Sequence, residues 1–204
     1  MTAPISPSTF QAPGPAAQIA AGSRAPLPRL VLVALGSTDA PSGPAQLLPA
    51  VASRLAHLTG LATCPIANPE RPESALAELL GQPGGWLAPL PLDPGLPLDQ
   101  GSWAEALGAW RQTTLLMVEA PQLATGLPAA ATALLERWGV PLVGLIQWGG
   151  PWDGQRRRRD GLPWLGWIDP LKVEPAAGPC PTEQEGMLLA ALGARWRRLI
   201  EQLA

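Results

Sequence analysis

Tyrosine is absent from this chain, and lysine, histidine and phenylalanine occur once each, as Lys172, His57 and Phe10. A mechanism that needs an amine must use Lys172, and one that needs an imidazole must use His57; few catalytic schemes survive that inventory. The two cysteines, Cys64 and Cys180, stand far apart without a CxxC spacing or a neighbouring histidine, so neither a zinc site nor a disulfide framework is legible. A reducing cytoplasm is the expected location. Long apolar runs are missing as well. No stretch approaches the roughly 18 continuous apolar residues that span a bilayer, and the opening MTAPISPSTF has neither the basic nor the apolar segment of a secretory leader. Neither membrane insertion nor secretion is expected. The formal net charge of -2 lacks the basic excess with which nucleic-acid binders displace counterions from phosphates. There is no GxSxG elbow, no HExxH and no Cys-His pair to support a nucleophilic or zinc hydrolase.

What is present is a chain of 204 residues with an apolar fraction of 47%, enough for one domain with a real core. Residues 1–28 are rich in Ala, Pro, Ser and Gly without periodic apolar positions, which predicts a disordered tail, and residues 29–204 form the expected domain. The domain opens with the apolar run LVLVAL at 30–35, a strand buried on both faces, closed by Gly36. After a turn over 36–44, Leu47, Leu48, Val51, Leu55 and Leu58 recur at helical spacing. Further strands are predicted at 61–66, 86–90, 114–118, 141–146 and 162–168, and helices at 73–80, 103–110, 129–138 and 183–203. This alternation predicts an α/β fold, a parallel sheet with helices on both faces. Such sheets bind ligands at the carboxyl ends of their strands, where residues 36–44, 90–101, 119–126 and 147–160 would gather.

The first of these loops has the position of a phosphate loop. A working one needs glycines whose N–H groups close around the anion, a lysine for the terminal phosphates and a Ser or Thr for magnesium. From Thr38 the sequence reads TDAPSGPA, so Gly43 stands where a glycine is wanted, while Pro44 fills the lysine slot and Ala45 the hydroxyl slot. Proline removes a charge and a backbone N–H together. A charge-assisted contact is worth roughly 1.5–3 kcal/mol, so these losses predict weak nucleotide binding. Pro44 also suits the first turn of a helix.

In this order of elements the chain resembles the dethiobiotin synthetases, ATP-dependent enzymes of biotin synthesis with a P-loop fold. Their loop GTDTGVGKT is matched by Thr38, Asp39 and Gly43. Their glycine pair before an apolar strand ending in Pro-Leu is matched by Gly84 and Gly85 in GGWLAPL, and their Gly-Leu-Pro-Val-x-Gly strand by GVPLVG. LPWLG at 162–166 resembles a later segment, and the likeness spans about residues 30–170. The resemblance implies the P-loop fold, nucleotide contacts from Gly36, Thr38, Asp39, Gly43, Gly84 and Gly85, and ATP with magnesium as cofactors if the chain is active. It also allows a homodimer. The departures fall on the chemistry: Pro44 and Ala45 replace the lysine and threonine, Gly81 replaces an acidic residue, and Gln147 and Trp148 stand where an asparagine helps read adenine. The expected function is therefore a dethiobiotin-synthetase-like domain without normal ligase activity and without a bound cofactor, acting by binding a protein or a small anionic ligand.

The alternative is an active, atypical ligase in which Arg156, Arg157, Arg158 and Arg159, expected in a loop at the ligand edge, clamp the nucleotide through bidentate contacts. Four adjacent arginines also suit a plain solvated loop. Trp148, Trp152, Trp164 and Trp167 cluster nearby, either as core or as a wall for a partner or flat ligand. Asp39, Asp93, Asp99 and Asp153 reach the same edge without a diagnostic spacing. A further resemblance, to short tetrapyrrole chelatases, rests on LVLVALGSTDAPSG; the histidine that often ends their first strand is Leu35 here. His57, within a predicted helix, is expected at the surface.

Overall fold

Four consecutive residues of the opening strand, Leu30 to Val33, are almost completely shielded from water, which a strand achieves only with layers packed on both of its faces. A computed structural model of the chain describes residues 28–34, 36, 44–169 and 181–203; of the tail predicted at 1–28, all but residue 28 lies outside that range. The opening strand is β1 (Arg29–Ala34), followed by α1 (Pro44–Thr59), β2 (Ala62–Thr63), α2 (Pro72–Gly81), β3 (Trp86–Pro89), α3 (Trp103–Ala109) and β4 (Thr114–Glu119). A 3-10 turn at Ala120–Ala124 leads to α4 (Leu127–Arg137), β5 (Leu142–Trp148), α5 (Gly154–Arg159), β6 (Trp164–Ile168) and α6 (Glu183–Leu203).

The strands form one sheet in the order β2-β3-β1-β4-β5-β6, and every neighbouring pair runs parallel. The α/β class and the two helix layers expected from the sequence are therefore present, in an architecture consistent with a P-loop-type fold. Alternation along β1 divides the core. Val31 and Val33 pack with residues of α2, α3 and α4, including Leu76, Trp103 and Leu135. Leu30, Leu32 and Ala34 pack on the opposite face with Val51 and Leu55 of α1 and Leu188 of α6.

Local chemistry sets the boundaries of several elements. Ser102 and Glu105 form a reciprocal cap at the start of α3, the Ser102 hydroxyl accepting from the Glu105 N–H at 3.2 Å. Gly108 lets α3 approach the end of α4, since a Cβ there would collide with the Trp138 carbonyl. Two expectations are corrected. The strand predicted at 61–66 shrinks to Ala62–Thr63, exposed at the sheet edge beside β3 only. The arginine run is a short helix instead of a loop, because the Asp153 carboxylate accepts from the N–H groups of Gln155 and Arg156, each at 3.0 Å, and starts a turn there.

One buried ion pair joins the two helices of the α1–α6 face. Arg54 donates from Nε to Glu185 Oε1 at 2.9 Å and from Nη2 to Oε2 at 3.0 Å, with both side chains only 6% exposed. Glu185 also accepts from the Thr182 N–H at 2.8 Å, while its own N–H donates to the Thr182 hydroxyl at 3.3 Å, capping α6. Burial pushes the Glu185 carboxyl up, but the Thr182 N–H, the Arg54 guanidinium and the Thr182 hydroxyl outweigh it and hold it below its ordinary value of 4.5. Breaking one side of such a pair leaves an uncompensated charge, so Arg54→Met should destabilise the domain by about 3–5 kcal/mol in denaturant unfolding. The depressed carboxyl contributes stability above its ordinary value and loses it as pH falls through the lower folded value. The stability gap between wild type and Glu185→Gln should accordingly be full at neutral pH and close in acid; a gap independent of pH would refute the assignment.

Candidate functional site

The carboxyl end of β1 is the topological switch point of the sheet. From β1 the chain passes to α1 on one face, whereas from β3 and β4, its two neighbours, it passes to α3 and α4 on the other. Loops that diverge in this way leave a crevice between them. Gly36 sits just past that end of β1, its N–H donating to Asp93 Oδ2 at 3.3 Å, and Asp93 Oδ1 accepts from the Gly95 N–H at 2.8 Å. Asp93 thus ties the end of β1 to the segment after β3. Thr38, Asp39 and Gly43 lie outside the described residues. Helix α1 begins at Pro44, so its first residue offers no N–H to an anion.

Glu119 closes β4 beside this point, two residues beyond Met117, the register partner of Ala34. Its N–H donates to Gln122 Oε1 at 2.9 Å, and its side chain accepts in return from the Gln122 backbone. The other carboxylate oxygen, Oε1, is buried without a hydrogen-bond partner among the described residues. Burial pushes the Glu119 carboxyl above its ordinary value of 4.5. A carboxylate in this condition can take up a proton closer to neutrality than an exposed one. On β5, Gln147 donates from Nε2 to the carbonyls of Gly149 and Pro151 at 2.8 and 3.1 Å, and its own Oε1 is also buried without a partner.

The glycine pair is elsewhere. Gly84 and Gly85 precede β3 and so lie at the amino edge of the sheet, the length of the strand away from Gly36. The Arg29 guanidinium clasps this turn, donating to the carbonyls of Gly84, Leu80 and Gln82 at 3.1 to 3.2 Å. The fold does not bring Gly84 and Gly85 together with Gly36.

The arginine run is separated from β1 in another direction. Helix α5 packs beside β6, the outer strand, with β4 and β5 between β6 and β1; at ~4.8 Å per strand that is about 14 Å. Arg157 is buried and Arg156, Arg158 and Arg159 are exposed. The Arg157 guanidinium lies 5.0 Å from the Trp164 ring centre and makes one long contact, 3.4 Å, to Asp160. Its Nε is buried without a partner among the described residues. Beside it opens a cavity of about 440 Å³ along β6, between α5 and α6, to which Arg157, Arg158 and Arg195 each contribute. Trp152, Trp164 and Trp167 form its aromatic wall. Trp148, in contrast, belongs to the core.

Among the described residues no three His, Cys, Asp or Glu side chains gather into a metal-binding group, and no helix is long and apolar enough to cross a membrane. His57 is exposed on α1. No protein-family model matches the chain, and no curated protein matches it.

Sequence reasoning found the arginine run and the tryptophan group but missed Arg195, which comes from α6 and joins them only in the fold. It also missed Glu119, since a strand-final glutamate carries no spacing to mark it. Because burial raises its carboxyl, ionised Glu119 costs stability as pH rises past the ordinary carboxylate value. Glu119→Gln should therefore raise the melting temperature at neutral pH, and the gain should shrink as pH falls toward the ordinary carboxyl value of 4.5 and be absent below it; an unchanged or lower melting temperature at neutral pH would contradict this environment.

Proposed function

We propose that this chain is a binding domain of the nucleotide-binding α/β type, similar to dethiobiotin synthetases in the order of its elements, that does not carry out ATP-dependent ligation. The observation that carries this reading is the position of the arginine run. Cations able to stand in for the missing lysine would have to meet a phosphate at the end of β1, yet α5 sits at the far edge beside β6. Arg157 is held on Trp164 instead of turning toward β1. Pro44 and Ala45 remain in the slots that would bind the terminal phosphates and magnesium. The donors on the described side of the crevice thus fit ATP with magnesium poorly.

One observation favours an active enzyme as the second reading. Glu119, with an unpaired oxygen and a raised carboxyl at the switch point, is the residue such an enzyme would use to accept a proton from a bound substrate. Isothermal titration with ATP and magnesium separates the two. The binding-domain reading expects no heat up to millimolar nucleotide. Micromolar binding that is lost when Arg156, Arg158 and Arg159 are changed to alanine would overturn it. Arg157 is left in place because its burial against Trp164 makes its removal a stability change as well.

A further inference from the structure

We infer that the cavity along β6 is a binding site for a small anion carrying a flat ring, such as an aromatic carboxylate or aryl phosphate. This inference rests on the binding-domain reading and gives it a location and a ligand class. The first observation is Arg157, only 8% exposed, with its Nε unpaired and a single 3.4 Å contact to an acid. A guanidinium has five N–H donors; with one long acid contact and the Trp164 ring beside it, Arg157 keeps donor capacity that an anion in the cavity it lines could take up. Asp160 meets that charge only in part. Its carboxylate already accepts from the Trp164 indole N–H at 2.9 and 3.0 Å and from the Leu162 N–H at 3.0 Å.

The second observation is the charge of the walls. Arg157 and Arg158 from α5 face the cavity together with Arg195 from α6, and no Asp or Glu is among its described lining residues. A smaller hollow continues along α6 past Arg195 to Arg198. Three cations converging from two helices without a lining carboxylate make a site whose missing partner is negative.

The third observation selects the ring. Trp152 and Trp164 meet edge to face, with centres 6.2 Å apart and planes at 73°. The Trp164 indole N–H is spent on Asp160, and that of Trp167 on the Gly149 carbonyl at 3.1 Å. These two side chains therefore offer the cavity ring surface and no donor, which suits a flat apolar group held by stacking. A volume of about 440 Å³ is the size of a small-molecule pocket.

The test is titration of the full chain with naphthoate and naphthyl phosphate, followed by calorimetry and by quenching of tryptophan fluorescence. Naphthalenemethanol supplies the ring without the charge, and cyclohexanecarboxylate the charge without the flat ring. Binding of at least one aryl anion with Kd at or below about 1 mM is expected, with both controls at least tenfold weaker. Arg157→Met, which keeps an apolar stem against Trp164, should weaken binding about tenfold or more. Since that variant removes a buried group, Arg195→Gln at an exposed position provides a second reading: weaker binding with an unchanged melting temperature. Equal binding of naphthoate and naphthalenemethanol, or full binding retained in Arg195→Gln and in folded Arg157→Met, would overturn the inference. So would a hexaglutamate peptide that binds more tightly than either aryl anion, since the groove would then hold an extended acidic chain. ATP with magnesium is titrated in parallel: nucleotide binding that persists in both variants counts against the binding-domain reading alone, while the aryl anions still decide the cavity.

Discussion

Everything in this molecule depends on a sheet whose central strands are apolar on both faces. Leu30, Leu32 and Ala34 point one way along β1, Val31 and Val33 the other, and neither set can meet water without losing the main driving force for folding. Helices must therefore cover both sides. The covering helices also carry the chain back to the start of each parallel strand, so all carboxyl ends fall on one edge and all amino ends on the other. Function is sorted by that polarity before any side chain is considered.

The polarity separates residues that a linear comparison groups together. Gly36 ends a strand and Gly84 and Gly85 precede one, so they occupy opposite edges although both adjoin apolar strands in sequence. Strand order adds a lateral separation. The arginine run follows β5 and packs on β6, the last strand, away from β1 in the middle. Two places in the fold stand apart: the carboxyl end of β1 with Glu119 beside it, and a cationic, tryptophan-walled cavity at the sheet edge.

The edge cavity also shows how stability and binding share residues. Asp160 holds Trp164 and the turn into β6, and Trp164 in turn supports Arg157. On the same side of the sheet as α1, the Arg54–Glu185 pair fixes the start of α6, the helix that delivers Arg195 to the cavity. The Arg54–Glu185 pair is a satisfied buried ion pair with capping support; Arg157 has one long acid contact and the Trp164 ring, and its Nε has no partner among the described residues. That contrast between two buried arginines is the ground for proposing a ligand site at Arg157 and none at Arg54.

Much of the fold was legible in the sequence because its determinants are local. The apolar run of β1, the helical spacing of α1 and the alternation of strands and helices depend on near neighbours, and they predict the α/β class directly. The absence of a lysine at Pro44 is equally local. The helical state of the arginine run was missed although its cause, Asp153 before two free N–H groups, lies in the sequence; four adjacent like charges masked it. Arg54 meeting Glu185 and Arg195 joining Arg157 were not legible, because each pair is far apart along the chain and no spacing rule links them. The sequence by itself determined which residues could be buried and which chemistry was missing. Only the tertiary structure decided which end of the sheet each loop reached, and which charges met a partner and which were left without one, because strand order and helix packing are set by the whole core at once.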